Sequence, residues 1–205
     1  MTKEFIKHLF PRVVLKDNLK ISYTLCLGGL SFVALFVLTV TGILLMFYYQ
    51  PEKSAAYNSI LFIEENIFLG KYMRDLHKFA THAYLILVFG HTLRVILTGA
   101  YKFRTYNWMI GMILLFLSIF EAYTGYLLPM DQLALWATQT GMELLRSVPF
   151  GDVIRNILVP DNVGESMTLL RFYVLHIVVI PAITFVLIML HFYRIRKDRG
   201  ILPYL

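Results

Sequence analysis

Apolar positions fall into four long, nearly unbroken stretches, at residues 21–49, 76–98, 108–128 and 169–193. The first carries no charge, the third is interrupted only by Glu121, and the fourth has Arg171 near its start and Pro181 inside it. A spanning helix needs roughly 20 mainly apolar residues, which each stretch supplies. None alternates with period two, and each far exceeds the ~10 residues of a barrel strand. The pattern predicts an all-α membrane protein, a four-transmembrane-helix bundle forming a single membrane domain over 1–205. The connection between the third and fourth spans is long. Its "MELLRSVPFGDVIRNIL" reads as short amphipathic helices broken at Pro149 and Gly151, lying flat in the interface. The N-terminal segment 1–20 reads as interfacial too. No soluble domain, internal repeat or low-complexity linker stands out.

Composition agrees: 58% of residues are hydrophobic and 16% charged, with mean hydropathy +0.66, whereas soluble domains carry about 25% charge. The formal charge of +6 reflects orientation, not nucleic-acid binding. Lys3, Lys7, Arg12, Lys16 and Lys20, then Arg94, Lys102 and Arg104, then Arg194, Arg196, Lys197 and Arg199 share one face of a chain that crosses four times. Glu52, Glu64, Glu65, Asp131, Glu143, Asp152, Asp161 and Glu165 fall on the other. The positive-inside rule puts both termini on the cytoplasm-like face, called n, with p opposite. The start of the chain lacks a secretory-signal pattern. One cysteine excludes an internal disulfide and any CxxC motif.

Histidines inside such spans call for a reason. His77 and His91 are 14 apart on the second span, and His176 and His191 are 15 apart on the fourth. Fourteen residues come about 40° short of four α-helical turns and fifteen overshoot by about 60°, so each pair shares a broad face. The two spans run in the same direction, which makes His77 and His176 a p-side pair and His91 and His191 an n-side pair. Paired imidazoles in an apolar bundle suit a haem iron held axially on both faces. Zinc would want two further ligands at each level. Gly28 and Gly42 on the first span, and Gly111 and Gly125 on the third, repeat the 14-residue period. Glycine costs about 1 kcal/mol in a helix, and here it would let two helices approach a flat macrocycle. Arg74, Arg94, Arg171 and Arg196 stand near the histidines. They read either as partners of haem propionates or as cations snorkelling at helix ends. His82 falls at the wrong angle to be a ligand and reads as a packing or hydrogen-bonding residue. His8 sits in the basic N-terminal segment and reads as solvated. Cys26, taken alone, reads as an inert buried thiol.

The chain resembles cytochrome b6, the N-terminal half of cytochrome b from quinol-oxidising bc and b6f complexes. The resemblance runs over nearly the whole sequence. It is carried by "CLGG" and "TG" on the first span, "RDLHKF" and "GHTLRV" on the second, "TGYLLPMDQ" closing the third, and "RFYVLHIVVIP" with "HFYRIRK" on the fourth. The 15-residue spacing of His176 and His191 is similar to the b6 branch. Met130 stands where the family usually has an aromatic, and the C-terminal half with its PEWY-type segment is not in this chain.

The resemblance implies two haems b, a p-side one of lower potential on His77 and His176 and an n-side one of higher potential on His91 and His191. It also implies a third haem, held through a single thioether on Cys26. It implies a subunit, not a complete enzyme, of a quinol:cytochrome c or plastocyanin-type oxidoreductase. Quinol would be oxidised at a p-side pocket formed partly by residues 129–136, and quinone would meet electrons at the n side. The implied partners are a subunit IV-like C-terminal half, a Rieske-type iron–sulfur protein and a c-type cytochrome, in a dimeric complex in a bacterial inner membrane. A rival reading is the membrane-anchor di-haem cytochrome b of a dehydrogenase or hydrogenase. The "TGYLLPMDQ" segment and the amphipathic insertion favour the first.

Overall fold

The computed structural model describes residues 25–197; the predicted N-terminal interfacial segment and the first residues of the first span lie outside them. The described chain is helical and carries α1 (Leu27–Met46), α2 (Ala56–Asn66), α3 (Gly70–Leu97), α4 (Thr105–Leu127), α5 (Gln132–Arg146), α6 (Gly151–Leu158), α7 (Ser166–Val174) and α8 (Ile180–Lys197). A π turn, Leu175–Val179, joins α7 to α8, so that Ser166–Lys197 is one helix of 32 residues. That helix, α1, α3 and α4 are the four long and apolar enough to cross a bilayer. Each overlaps one of the four apolar runs, and α3 and α4 begin earlier than those runs do. Backbone hydrogen bonding carries a helix on through polar turns such as "GKYMRD" that hydropathy leaves out.

The spans expose apolar side chains instead of burying them. Val33, Phe36 and Ile43 of α1, Phe79, Ile86 and Phe89 of α3, and Met109 and Phe116 of α4 are all exposed. Water would not tolerate that surface; hydrocarbon does, since lipid tails are as apolar as leucine. The protein is an integral membrane protein. Serine hydroxyls on the spans find acceptors in their own helix: Ser31 donates to the Leu27 carbonyl and Ser118 to Leu114, each at 2.8 Å, as a medium without water requires.

The chain divides into two compact units. Among the described residues, one holds 25–35, 82–118 and 182–197; the other is Phe36–Thr81 and Ile119–Pro181. The four long helices each supply a segment to both. The second unit holds an apolar core of Tyr49, Ala56, Ile63, Leu127, Met142, Val159, Leu169 and Phe172. There the short helices pack against the span ends. The Tyr49 hydroxyl donates to the Leu128 carbonyl at 2.7 Å, and that of Tyr123 to the Thr138 carbonyl at 2.9 Å. Asp131 caps α5 through the Ala134 N–H at 2.8 Å. The break between α5 and α6 falls at residues 147–150, where Pro149 and Gly151 predict it. The helix α2 was not legible as one: its buried residues, Ala56, Ser59 and Ile63, are too few and too small to mark a stripe.

The π turn has a local cause. Pro181 has no N–H to donate and its ring crowds the carbonyl four residues back, so an α turn cannot continue unchanged into it. A π turn just before the proline relieves this, at the cost of about one extra residue per turn.

Asp161 closes the same unit. Its carboxylate accepts the Met167 N–H at 3.0 Å and the Thr168 N–H at 3.1 Å, two donors of the first turn of α7, and also the Thr168 hydroxyl. Partial burial pushes this carboxyl up, but the hydrogen bonds from Thr168 and Met167 outweigh it and hold the group below its ordinary value of 3.8. Replacing Asp161 by Ala is expected to cost about 1 kcal/mol, read as a lower thermal midpoint of the purified protein. The ionised carboxylate is favoured in the fold, so wild type keeps its advantage above the ordinary carboxylate value. The advantage fades as pH falls through the depressed one. A difference that grows with acid would contradict this.

Candidate functional site

In the second unit α3 presents His77 and the π turn presents His176. Their ring centroids lie 6.4 Å apart, with the planes at 74°. The other unit repeats the arrangement: His91 of α3 and His191 of α8 have centroids 6.5 Å apart and planes at 82°. A metal–imidazole bond is about 2 Å and the nitrogen lies about 1 Å from its ring centre, so two rings sharing one iron stand roughly 6 Å apart. Both pairs fit. Among the described residues no three His, Cys, Asp or Glu side chains converge as a bare metal site would need. Each pair offers two ligands, the number of axial positions on haem iron.

Each glycine of the 14-residue series meets one of these rings. A Cβ built on Gly125 would lie 2.5 Å from His176 Cε1, on Gly28 3.2 Å from His91 Cε1, on Gly42 3.3 Å from His77 Cε1, and on Gly111 3.5 Å from His191 Cε1. The absent side chain therefore makes room for the imidazole. The close helix approach expected at these glycines is expressed here as a seat for an imidazole.

Hydrogen bonds fix the tautomers of the His77–His176 pair. His77 Nδ1 is 2.8 Å from Thr41 Oγ1, and that hydroxyl donates onward to the Val37 carbonyl at 2.8 Å. The hydroxyl's proton is thus committed, so it accepts from Nδ1–H and leaves Nε2 as the unprotonated nitrogen. His176 Nδ1 donates to the Glu121 carbonyl at 3.0 Å, with Thr124 Oγ1 and Glu121 Oε1 each at 3.4 Å. Outer partners of this kind orient metal-bound imidazoles. At the other pair, His191 Nδ1 is buried and makes no well-aligned hydrogen bond among the described residues; the Asn107 backbone is the acceptor facing that ring.

The His91–His191 pair borders a cavity of about 670 Å³, within the roughly 300–1,000 Å³ of cofactor sites. Gly28, Gly111, Arg94, Arg104 and Asn107 line it together with His91 and His191. Arg74 forms an ion pair with Glu64, and Arg171 donates to the Ile157 carbonyl. Arg196 lies in the last turn of α8, where Arg194 sits 4.9 Å over the Tyr106 ring. Cys26 is exposed, not buried. It adopts φ 48° in the turn before α1, two residues from the cavity-lining Gly28. His82 is exposed as well. Reading the sequence missed Thr41, Thr124, Arg104 and Asn107. The two threonines carry a signal: each immediately precedes a p-side glycine, as "TG" on both the first and third spans.

Comparison with known proteins places these features. The family profile described as "Cytochrome b(N-terminal)/b6/petB" matches residues 82–204. Cytochrome b6 of Heliobacterium modesticaldum is 37% identical over 96% of this chain and 90% of its own. The menaquinol:cytochrome c reductase cytochrome b subunit of Bacillus subtilis is 33% identical over 97% of this chain and 90% of its own. Among solved structures, a chain of a "Hyperthermophilic respiratory Complex III" superposes with a TM-score of 0.74 at 26% identity. That match covers 85% of this chain and 48% of the solved one, so the chain spans about half of that relative. A profile matching more than half the sequence, relatives of this identity along nearly its whole length, and two imidazole pairs at iron-sharing distance lead to one conclusion: the chain belongs to the cytochrome b(N-terminal)/b6 family, whose members bind haem b.

Proposed function

We propose that this chain is the di-haem cytochrome b subunit of a quinol-oxidising complex, binding one haem between His77 and His176 and a second between His91 and His191. The observation that carries the reading is the repeated centroid separation of 6.4 and 6.5 Å, each ring backed by a glycine. Haem, when bound, supplies one-electron redox chemistry; the chain supplies ligands, orientation and a low-dielectric surround. Thr41 and the Glu121 carbonyl hold the Nδ1 protons of the p-side imidazoles and so aim Nε2 at the iron. They also raise ligand basicity, which favours ferric iron and supports the lower potential on that side. The n-side imidazoles have no comparable hydroxyl partners among the described residues. Arg94, in the last turn of α3, suits a propionate, whereas Arg74, with Glu64 as its ion-pair partner, would share its guanidinium between the two.

Quinol oxidation is assigned to the p side, next to residues 129–136, in a pocket completed by a subunit IV-like C-terminal half. A Rieske-type protein and a c-type cytochrome take the electrons of one branch, and quinone is met at the n side. The names of the relatives and the cationic residues of the 98–104 connection and the α8 end support this placement, with both termini on the n side of a bacterial inner membrane and a dimeric complex around it. Cys26 is the proposed attachment point of a third haem. Its exposure and its closeness in sequence to Gly28 support that reading.

Three outcomes test this. Purified wild type is expected to release two haems into acid-acetone and to retain one on the polypeptide, and Cys26→Ser to abolish only the retained one. If wild type retains no haem, the thioether assignment is wrong. Gly125→Ala is expected to push His176 out of place and cut p-side haem occupancy to a small fraction of wild type. Gly111→Ala, with its Cβ at ordinary contact distance, is expected to keep n-side occupancy near wild type, both read by reduced-minus-oxidised spectra. Equal loss in the two variants would refute the seating role of the glycines.

A further inference from the structure

Asn107 is a polar residue that the ligand scheme above leaves unused. It lies in the first turn of α4 (Thr105–Leu127) and is only 7% exposed. Its Oδ1 is buried and has no hydrogen-bond partner among the described residues. A buried amide oxygen without a partner costs about 1–3 kcal/mol, so its presence needs a cause. Asn107 is among the residues that line the 670 Å³ cavity that His91 and His191 border.

The surroundings fix the chemistry of a partner. Two cations, Arg94 and Arg104, line the cavity and no Asp or Glu does. The α4 N-terminus adds to that field. Its first intrahelical bond runs from the Trp108 N–H to the Arg104 carbonyl at 2.9 Å, so the N–H groups before it have no carbonyl partner in the helix, and the aligned peptide dipoles favour an anion there. The oxygen and nitrogen of an amide are sterically alike, and the group turns to suit its partner. Beside two guanidinium groups and a helix N-terminus, the suited partner is an anionic acceptor, to which the amide presents its NH2. The anionic groups of haem b are its propionate carboxylates.

We propose that the Asn107 side-chain amide donates a hydrogen bond to a propionate carboxylate of the n-side haem, while its backbone carbonyl faces the His191 ring. Asn107 is thereby a positioning residue for both the rim and the axial ligand of one cofactor, and it sets the potential of that haem. Arg94 and Arg104 supply net charge; the amide supplies direction without charge. The inference rests on the haem reading of His91 and His191.

The test uses the whole complex purified from membranes. Wild type, Asn107→Leu and the isosteric Asn107→Asp are compared by potentiometric titration of the two b haems, with quinone removed and with quinone restored. Without the donor, the carboxylate charge is less compensated and ferric iron is favoured. Asn107→Leu is expected to shift the n-side reduction equilibrium about tenfold toward the ferric form, about 59 mV for one electron. Asn107→Asp is expected to shift it further, with the p-side haem unmoved and both shifts surviving quinone removal. Redox difference infrared spectra with ¹³C-labelled propionates give a second readout, a displaced carboxylate band in the variants. Should Asn107→Leu fail to assemble, Asn107→Asp carries the test alone. An n-side potential unmoved in Asn107→Asp overturns the proposal. So does a shift that appears only with quinone present, which assigns the amide to a quinone headgroup. A wild-type complex lacking two bis-imidazole haems is a separate failure, because it removes the haem reading itself.

Discussion

An imidazole in a lipid-embedded helix has two nitrogens to satisfy and no water to satisfy them. At His77 and His176 the chain gives one nitrogen a protein acceptor, and in the proposed reading it keeps the other for iron. His77 turns Nδ1 to the Thr41 hydroxyl, and His176 turns Nδ1 to the Glu121 carbonyl. Other features of the site follow from accommodating these rings. The glycines sit where a Cβ would meet them. The threonines on the p side are themselves bonded back to their own helix, so the hydroxyl lone pairs face the histidines. The exposed apolar surface of the spans supplies the dry medium in which such a tautomer choice holds.

The two sites are built to one plan with different trim. The His77–His176 pair is held by hydrogen bonds with Thr41, Thr124 and Glu121. The n-side pair opens instead on a cavity with arginines along its lining. In the proposed di-haem reading, iron in the first setting would meet strongly donating ligands, and iron in the second would meet weaker donors and a positive field. On that reading both differences would act in the same direction and set two chemically identical haems apart.

Much of this was legible in the sequence, for physical reasons. The four spans are set by bilayer thickness, and the histidine and glycine positions by the period of an α-helix. Residues four turns apart on one helix can be compared without knowing the fold. What escaped is what depends on contacts between elements. Glu64 belongs to α2, a short helix with no clear stripe, so its ion pair with Arg74 could not be foreseen from the span alone. The exposure of Cys26 depends on how a turn enters α1. Asn107 looks like any polar residue near a helix start; only its burial and its place on the cavity wall single it out. Thr41 and Thr124 were visible as repeated "TG" pairs, but the role of the hydroxyls emerges only once the rings are in place.

The π turn at Leu175–Val179 bears on how such sequences are compared. A turn of this kind holds about one residue more than its α counterpart. Here it lies on the path between the two histidines of the fourth span, just ahead of Pro181. A lineage could lose that residue, tighten the loop of backbone into an ordinary coil, and leave the rest of the helix in phase. The count of residues between two ligands is then elastic by one, and a gap of that size in an alignment marks a change of winding, not a change of site.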